Sequence, residues 1–497
     1  MLVALPVPSH VPYRADADGI LFGRRQLEKM EERVVGGASR GRSVTFPVDR
    51  SRDPRQTESV PGGEARAGLG KAASGMTWSL LGLIVAQVAQ WAVMVLLSRL
   101  GTPEMVGQYA LGLAVGAPVI LLAGFGLRTV QVTDTGPLFS FNDYLRLRTS
   151  GMVVALLLIG VIAAFVGPAA GVVVLLVGVA KALDAVGDIY WGLFQRHERM
   201  RPIAISMISN GLISVLAVVS LLVLTGSIGW AMIGSVIGSL AGSVGYCARA
   251  AKPLTTIEPT TDVAAGGTRH GPPPDRPAAL RRMARLAVVA APLGLASGLV
   301  SLSENLPRYL AGHLLGTAAL GIFAALAYIV LAANVLFAAI SQLLLPRLTR
   351  LFAAGDVTAF TALTLKLILG TLCCGAVVVA VVIGAGPATV RLVYGAPYDG
   401  HAVVLILLTI AAVLRGAVFF LNTALYALRK FGNQLVASMI MVAVAGSGGY
   451  LLIPRFGLVG AAWSVIITAS GDSLLKALML KRALAKRLST RPVQASG

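Results

Sequence analysis

Apolar residues in this chain do not alternate with polar ones. They run in blocks, and the blocks are long. Twelve of them occupy about 76–98, 105–127, 149–166, 169–193, 203–225, 228–248, 286–311, 320–345, 367–388, 402–426, 434–453 and 457–475. A helix rising ~1.5 Å per residue needs about 20 apolar residues to cross a hydrocarbon core of ~30 Å, and most of these blocks meet that length. The pattern predicts an all-α integral membrane protein with about twelve transmembrane helices. Three polar stretches punctuate it. Residues 1–75 are rich in Arg, Gly, Ser and Pro without sustained periodicity and are expected to form a disordered tail. Residues 249–285, with Gly266-Gly267 and Pro272-Pro273-Pro274, form a linker. Residues 486–497 form a second tail. The linker separates an N-terminal six-helix bundle, 76–248, from a C-terminal one, 286–485.

The two halves echo one another. Leu100-Gly101-Thr102-x4-Gly107-x-Tyr109-Ala110 follows the first block, and Leu315-Gly316-Thr317-x3-Gly321-x-Phe323-Ala324 follows the seventh. Ser235-Val236-Ile237-x4-Gly242 in block 6 matches Ser464-Val465-Ile466-x4-Gly471 in block 12. Equivalent placement in both halves points to duplication. An even number of helices per half keeps the topology, so the pseudo-twofold axis runs along the membrane normal.

Composition agrees with a membrane protein: 497 residues are 56% hydrophobic and 13% charged, with mean hydropathy +0.79, whereas a soluble domain carries about 25% charge. The net charge of +20 would suit nucleic acid if it were clustered on a folded face, but its distribution reads as topology. The connections after blocks 2, 4, 6, 8 and 10, with the C-terminal end, hold 24 Lys or Arg. The opposite connections hold three: Arg99, Arg391 and Arg455. Basic loops stay cytoplasmic, so both termini are expected in the cytoplasm. The start of the chain is a poor signal peptide, and Met30 and Met76 are open alternative starts. Cys247, Cys373 and Cys374 form no CxxC pair. His197-Glu198 lacks a histidine four residues on, where Arg201 stands, so no metalloprotease motif is present. Gly68-Leu69-Gly70 follows no strand and is no dinucleotide fingerprint. No catalytic constellation, metal site or cofactor is expected, and the chain is read as no enzyme.

Seven ionisable residues interrupt the blocks: Lys181, Asp184, Asp188, Glu304, Arg308, Arg415 and Asp472. Charge within a spanning segment is costly and normally faces a cavity or a partner. Static ion pairing between helices, or snorkelling for Arg308, is the bland alternative. Lys181 and Arg415 fall near the midplane of blocks 4 and 10 and correspond at an offset of 234, as do Asp188 with Asn422 and Arg196 with Lys430. Lys181, Asp184 and Asp188 share one helix face, and Glu304 shares one with Arg308. Arg415 has no acid within a turn of itself. Glu304 and Asp472 are expected toward opposite membrane faces. The glycines at 234, 238 and 242 read as a close-packing stripe.

Several motifs, in order, resemble the bacterial polysaccharide flippases of the multidrug/oligosaccharidyl-lipid/polysaccharide exporter superfamily. They are Leu97-Ser98-Arg99-Leu100-Gly101, Gly107-Gln108-Tyr109-Ala110, Ala123-Gly124-x-Gly126-Leu127-Arg128, Pro292, Asn305-x-x-Arg308, Leu315-Gly316-x4-Gly321-x-Phe323, Leu345-Pro346-Arg347-Leu348, Tyr394-Gly395-x2-Tyr398 and Phe456 to Ala462. The resemblance covers about 76–485. It implies two pseudo-symmetric six-helix bundles around a central cavity, and a flippase for undecaprenyl-pyrophosphate-linked oligosaccharide in the biosynthesis of O-antigen or exopolysaccharide. On that expectation Lys181, Arg415, Arg308, Glu304, Asn305 and Asn422 are substrate-cavity candidates, and Asp184, Asp188 and Asp472 are ion-coupling candidates. The expected partners are lipid-linked oligosaccharide and membrane lipids, with a glycan polymerase and glycosyltransferases as neighbours in the pathway. Within the superfamily, a cation-coupled multidrug exporter and a lipid II flippase remain open. Outside it, so do a membrane-embedded glycan polymerase or ligase and a scaffold acting through the basic tail. Short outer loops count against the polymerase.

Overall fold

The computed structural model describes residues 62–134, 139–255, 276–428 and 434–489. Most of the tail at 1–75, part of the linker and the last eight residues lie outside them, as does Lys430. Contacts divide the chain into Leu5–Lys71, described only from Gly62 onward, and a main unit that includes Ala72–Gly497. The described residues carry twelve long helices: α1 Gly62–Leu100, α2 Pro103–Ala123, α3 Phe141–Val166, α4 Pro168–Arg196, α5 Met200–Thr225, α6 Ile228–Thr255, α7 Arg276–Leu315, α8 Thr317–Ala353, α9 Val357–Tyr394, α10 Ala402–Ala427, and α11 and α12 at 434–456 and 458–489. Gly457, at φ 59 and ψ −134, is non-helical and separates the last two. A short helix, Leu127–Thr133, follows α2.

The helices outrun the apolar blocks at many ends. A bilayer demands that every backbone N–H and C=O be bonded within the segment, and the helix persists into polar residues beyond the hydrocarbon. Local chemistry sets several starts. Thr102 caps α2 with Pro103 in its first turn. Ser140 and Asp143 form a reciprocal capping box on α3. Gly226, at φ 65, ends α5 in the left-handed conformation. Pro292 and Pro307 both sit inside a continuous α7.

Burial sorts the helices into centre and periphery. In their most apolar windows, α2 and α10 are 61% buried, whereas α5 is 17% and α9 11% buried. The peripheral faces are apolar, with Phe165, Leu224 and Leu392 largely exposed, as lipid contact requires. Within the first half α3 packs on α4, α2 and α6 on α4, and α5 on α6; within the second, α7 and α10 pack on the α11–α12 pair, and α8 and α9 on α10. The halves meet where α2 crosses α7 and α8.

The glycine stripe of α6 lies directly on the α5 backbone. A Cβ at Gly234 would meet the Val218 nitrogen at 2.5 Å, one at Gly238 the Ser214 nitrogen at 2.7 Å, and one at Gly242 the Asn210 nitrogen at 2.4 Å. Each partner is four residues from the next, so the stripe tracks one ridge of α5. From Ser239 to Tyr246 α6 widens into a π-helix, a local distortion that is frequent at functional sites.

Candidate functional site

A cleft of about 1070 Å3, counting its open mouth, is enclosed by α7, α10, α11 and α12. Its polar wall brings together Ser303 and Glu304 from α7, Arg415 and Asn422 from α10, and Thr468, Asp472 and Lys476 from α12. Val300, Pro307, Phe419, Met441 and Met479 supply apolar wall. Two ion pairs stand in it. The Arg415 guanidinium pairs with the Glu304 carboxylate, and the Lys476 ammonium lies 2.7 Å from the Asp472 carboxylate one turn back on its own helix.

This arrangement supplies partners that lie beyond the reach of one helix turn. Arg415, with no acid within a turn of itself, pairs with a distant one, Glu304, 111 residues away on α7. Glu304 turns to Arg415, while its helix neighbour Arg308 donates to Asn305 at 2.9 Å; the buried Asn305 amide in turn donates to the Ser301 carbonyl at 2.9 Å. Asn305 and Arg308 therefore form a pair on α7 that does not border the cleft. Glu304 and Asp472 border one cleft. With two acids and two bases, the cleft is charge-balanced. An ion pair there is poised rather than locked: the Arg415 and Glu304 side chains are 27% and 46% exposed.

The equivalent level of the first half holds a different cluster. Lys181 Nζ lies 3.2 Å from the Asp184 carboxylate. The other carboxylate oxygen accepts from Asn210 Nδ2 at 2.8 Å and from Ser243 Oγ at 2.9 Å. Ser243 belongs to the π-helical turn of α6, and its neighbour Gly242 presses on Asn210. The widened turn and the glycine contact thus carry a hydroxyl donor onto Asp184, which takes bonds from α4, α5 and α6.

Asp188 lies one turn further along α4. Arg128 Nη1 donates to it at 2.9 Å and Arg148 Nη2 at 3.3 Å. Arg128 also donates to Gln195 at 3.0 Å and stacks over the Trp191 ring. Arg128 reaches this place because Phe125 and Gly126, both at positive φ, turn the chain sharply after α2. Neither arginine was expected in a site. Both lie beyond the end of an apolar block and were counted as loop charge, as was Lys476. Their one sequence signal was the helix-facing spacing of Asp188 with Gln195, i and i+7 on α4. Among the described residues no group of three or more His, Cys, Asp or Glu is placed to hold a metal ion.

A family model described as "Polysaccharide biosynthesis protein" matches residues 72–352. Among curated proteins, the chain is similar to the capsular polysaccharide biosynthesis protein CapF of Staphylococcus aureus, 24% identical over 385 residues that cover 78% of this chain and 93% of that protein. Among solved structures it is similar to a multidrug resistance MATE family transporter in an inward-facing conformation, with TM-score 0.63 and 13% identity over 83% of this chain and 100% of that one. It is also similar to the Vibrio cholerae MATE transporter VcmN in its bent form, with TM-score 0.52 and 14% identity over 85% and 98%. A transporter of the same superfamily from Pyrococcus furiosus, described by the reverse polarity of its binding pocket, gives TM-score 0.53 and 13% identity over 83% and 95%. At such identities the structures establish the fold: two pseudo-symmetric six-helix bundles of the transporter type.

Proposed function

The chain belongs to the polysaccharide biosynthesis protein family, and from that membership we propose that it flips undecaprenyl-pyrophosphate-linked oligosaccharide across the bacterial plasma membrane by alternating access. The bundles 76–248 and 286–485 rock about the crossing of α2 with α7 and α8, with linker 249–285 and both termini in the cytoplasm. The basic-loop asymmetry supports that orientation.

Arg415 in the cleft is the observation that carries the reading. A guanidinium engages phosphate oxygens through two parallel N–H donors, and this one is held in place by Glu304 rather than buried in a static pair. Arrival of the pyrophosphate exchanges one anion for another at Arg415. The freed Glu304 carboxylate is then open to a coupling cation, with Asp472 and Lys476 one wall away. Asn422 and Ser303 offer neutral hydrogen bonds to the glycan, and the lipid tail stays in the bilayer. Lys181, with Asp184, is the corresponding element of the other half, and Asp188 a further coupling candidate.

The test is a strain lacking its own flippase. Expression of this chain should restore surface polysaccharide, and Arg415→Ala at equal membrane level should leave lipid-linked oligosaccharide accumulated. Full restoration by Arg415→Ala would overturn the role of that arginine. The charge balance of the cleft favours one second reading, a cation-coupled drug exporter. Export of cationic dyes by the wild type, without restored polysaccharide, would select it.

A further inference from the structure

The loops of the arginine-poor side hold three basic residues, and one of them is tied down. Arg99, at the end of α1, donates through Nε to the Val393 carbonyl at 2.8 Å, and through Nη2 to the carbonyls of Leu392 and, at 3.5 Å, Arg391. These are last-turn carbonyls of α9: that of Arg391 also accepts the Gly395 N–H at 3.1 Å, those of Leu392 and Val393 lie past the end of the helix's own ladder, and all three carry the negative end of its dipole. The donor sits in the first half and the acceptors in the second. Two turns and more back along α1, Trp91 Nε1 donates to Tyr394 Oη at 3.3 Å and Gln90 Nε2 to Tyr328 Oη at 3.1 Å. Tyr394 is buried and stacks against Tyr398. The internal repeat aligns Leu100 with Leu315, which places Leu314 where Arg99 stands. The arginine is therefore no relic of duplication. It exists on one half only, opposite carbonyls of the other.

We propose that Arg99 is a latch: its guanidinium caps α9 across the seam between the halves and holds the arginine-poor side shut, and the latch is released when that side opens. The proposal rests on the alternating-access reading above and adds the residue that sets its conformational balance. An exposed side chain suits the task, since water can replace it on each cycle.

The test reads accessibility, not transport. Thr468, on the wall of the cleft, is replaced by cysteine in a chain whose Cys247, Cys373 and Cys374 are serine. A membrane-impermeant maleimide is applied to intact spheroplasts and to inside-out vesicles. Arg99→Gln should raise labelling from the arginine-poor side roughly two- to fivefold, the range that a cation at a helix C-terminus contributes. Arg99→Lys should give an intermediate rise, because an ammonium cannot span successive carbonyls. Trp91→Phe, which removes only the indole donor to Tyr394, should shift labelling in the same direction by less. Unchanged labelling in Arg99→Gln at normal membrane level would overturn the latch. So would an equal rise in Arg391→Gln, which removes an arginine from the same side without removing the Arg99 contacts. Labelling needs no substrate, so the two readings fail separately. A wild-type chain that restores no polysaccharide sinks the flippase while the Arg99 shift stands, and restoration with no Arg99 shift sinks the latch alone.

Discussion

Two pairs of positions correspond between the halves of this protein, and they have had opposite fates. Gly107 and Gly321 are matched glycines of the repeat, and the fold brings them against each other. A Cβ at Gly107 would stand 1.8 Å from the Thr317 carbonyl oxygen, and one at Gly321 would stand 2.0 Å from the Pro103 carbonyl oxygen. Each glycine lets its helix touch the start of the other, so the repeat motif is the pseudo-twofold contact seen from both sides. Lys181 and Arg415 also correspond, at the middle of α4 and α10. Lys181 is paired within its own helix, to Asp184, which α5 and α6 hold with two further donors. Arg415 is paired across helices, to Glu304, in an open cleft. Where duplicated residues meet at the axis, geometry constrains both alike. Where they lie far from it, each half has built its own surroundings, one closed and one open.

The largest effect should come from filling the axis. Gly107→Val and Gly321→Val each drive a side chain into backbone that cannot yield cheaply, and each should cost about 3–5 kcal/mol or prevent folding. Fluorescence-detected size exclusion after heating measures this. Gly160→Ala and Gly370→Ala, whose added Cβ meets nothing within 4 Å, are the matched controls and should be neutral or stabilising by up to about 1 kcal/mol. Tolerance of valine at one axis glycine and not at its mate would break the equivalence.

The next effect separates the mid-helix pairs. Arg415→Ala should abolish polysaccharide export, at least tenfold, while changing stability by about 1 kcal/mol or less, because both members of its pair are partly exposed. Arg415→Lys should retain part of the activity. Asp184→Ala should do the reverse of a cleft variant. It leaves Lys181 and Ser243 without their acceptor and Asn210 with the Ser243 hydroxyl alone, at 3.0 Å, and losing the acceptor of partly buried donors should cost about 1–3 kcal/mol, visible as a lower melting temperature before any transport assay.

These outcomes bear on what was readable from the residues. The twelve helices, the repeat and the glycine stripe were legible because each is a local pattern: apolar length, matched spacing, glycine every fourth residue. The axis contact of Gly107 with Gly321 was legible as a repeat but not as a contact, since nothing in a sequence says that two copies touch. The Arg415–Glu304 pair was hidden for the same reason, its members 111 residues apart. Lys476 and Arg148 were hidden by hydropathy itself. A charge directly flanking an apolar run is indistinguishable from a loop charge until the helix is known to continue. In the structure it does continue, and these side chains reach back to Asp472 and Asp188.

The smallest effect is the one that most sharpens the comparison. Lys181 Nζ stands 3.2 Å from Asp184, three residues along one helix, and its side chain is 36% exposed. Such a pair is worth about 0.2–1 kcal/mol. Removing the lysine leaves Asp184 with the Asn210 amide and the Ser243 hydroxyl, both still in place, so the carboxylate is not stranded. Lys181→Ala should therefore lower stability by less than about 1 kcal/mol and slow export far less than Arg415→Ala does at matched protein level. A thermal melt and the polysaccharide assay on the same membranes give both numbers. If the two alanine variants instead lose export equally, the closed cluster of α4 opens during transport. Lys181 and Arg415 then act as paired receptors for one pyrophosphate, and the asymmetry between the halves belongs to this conformation rather than to the mechanism.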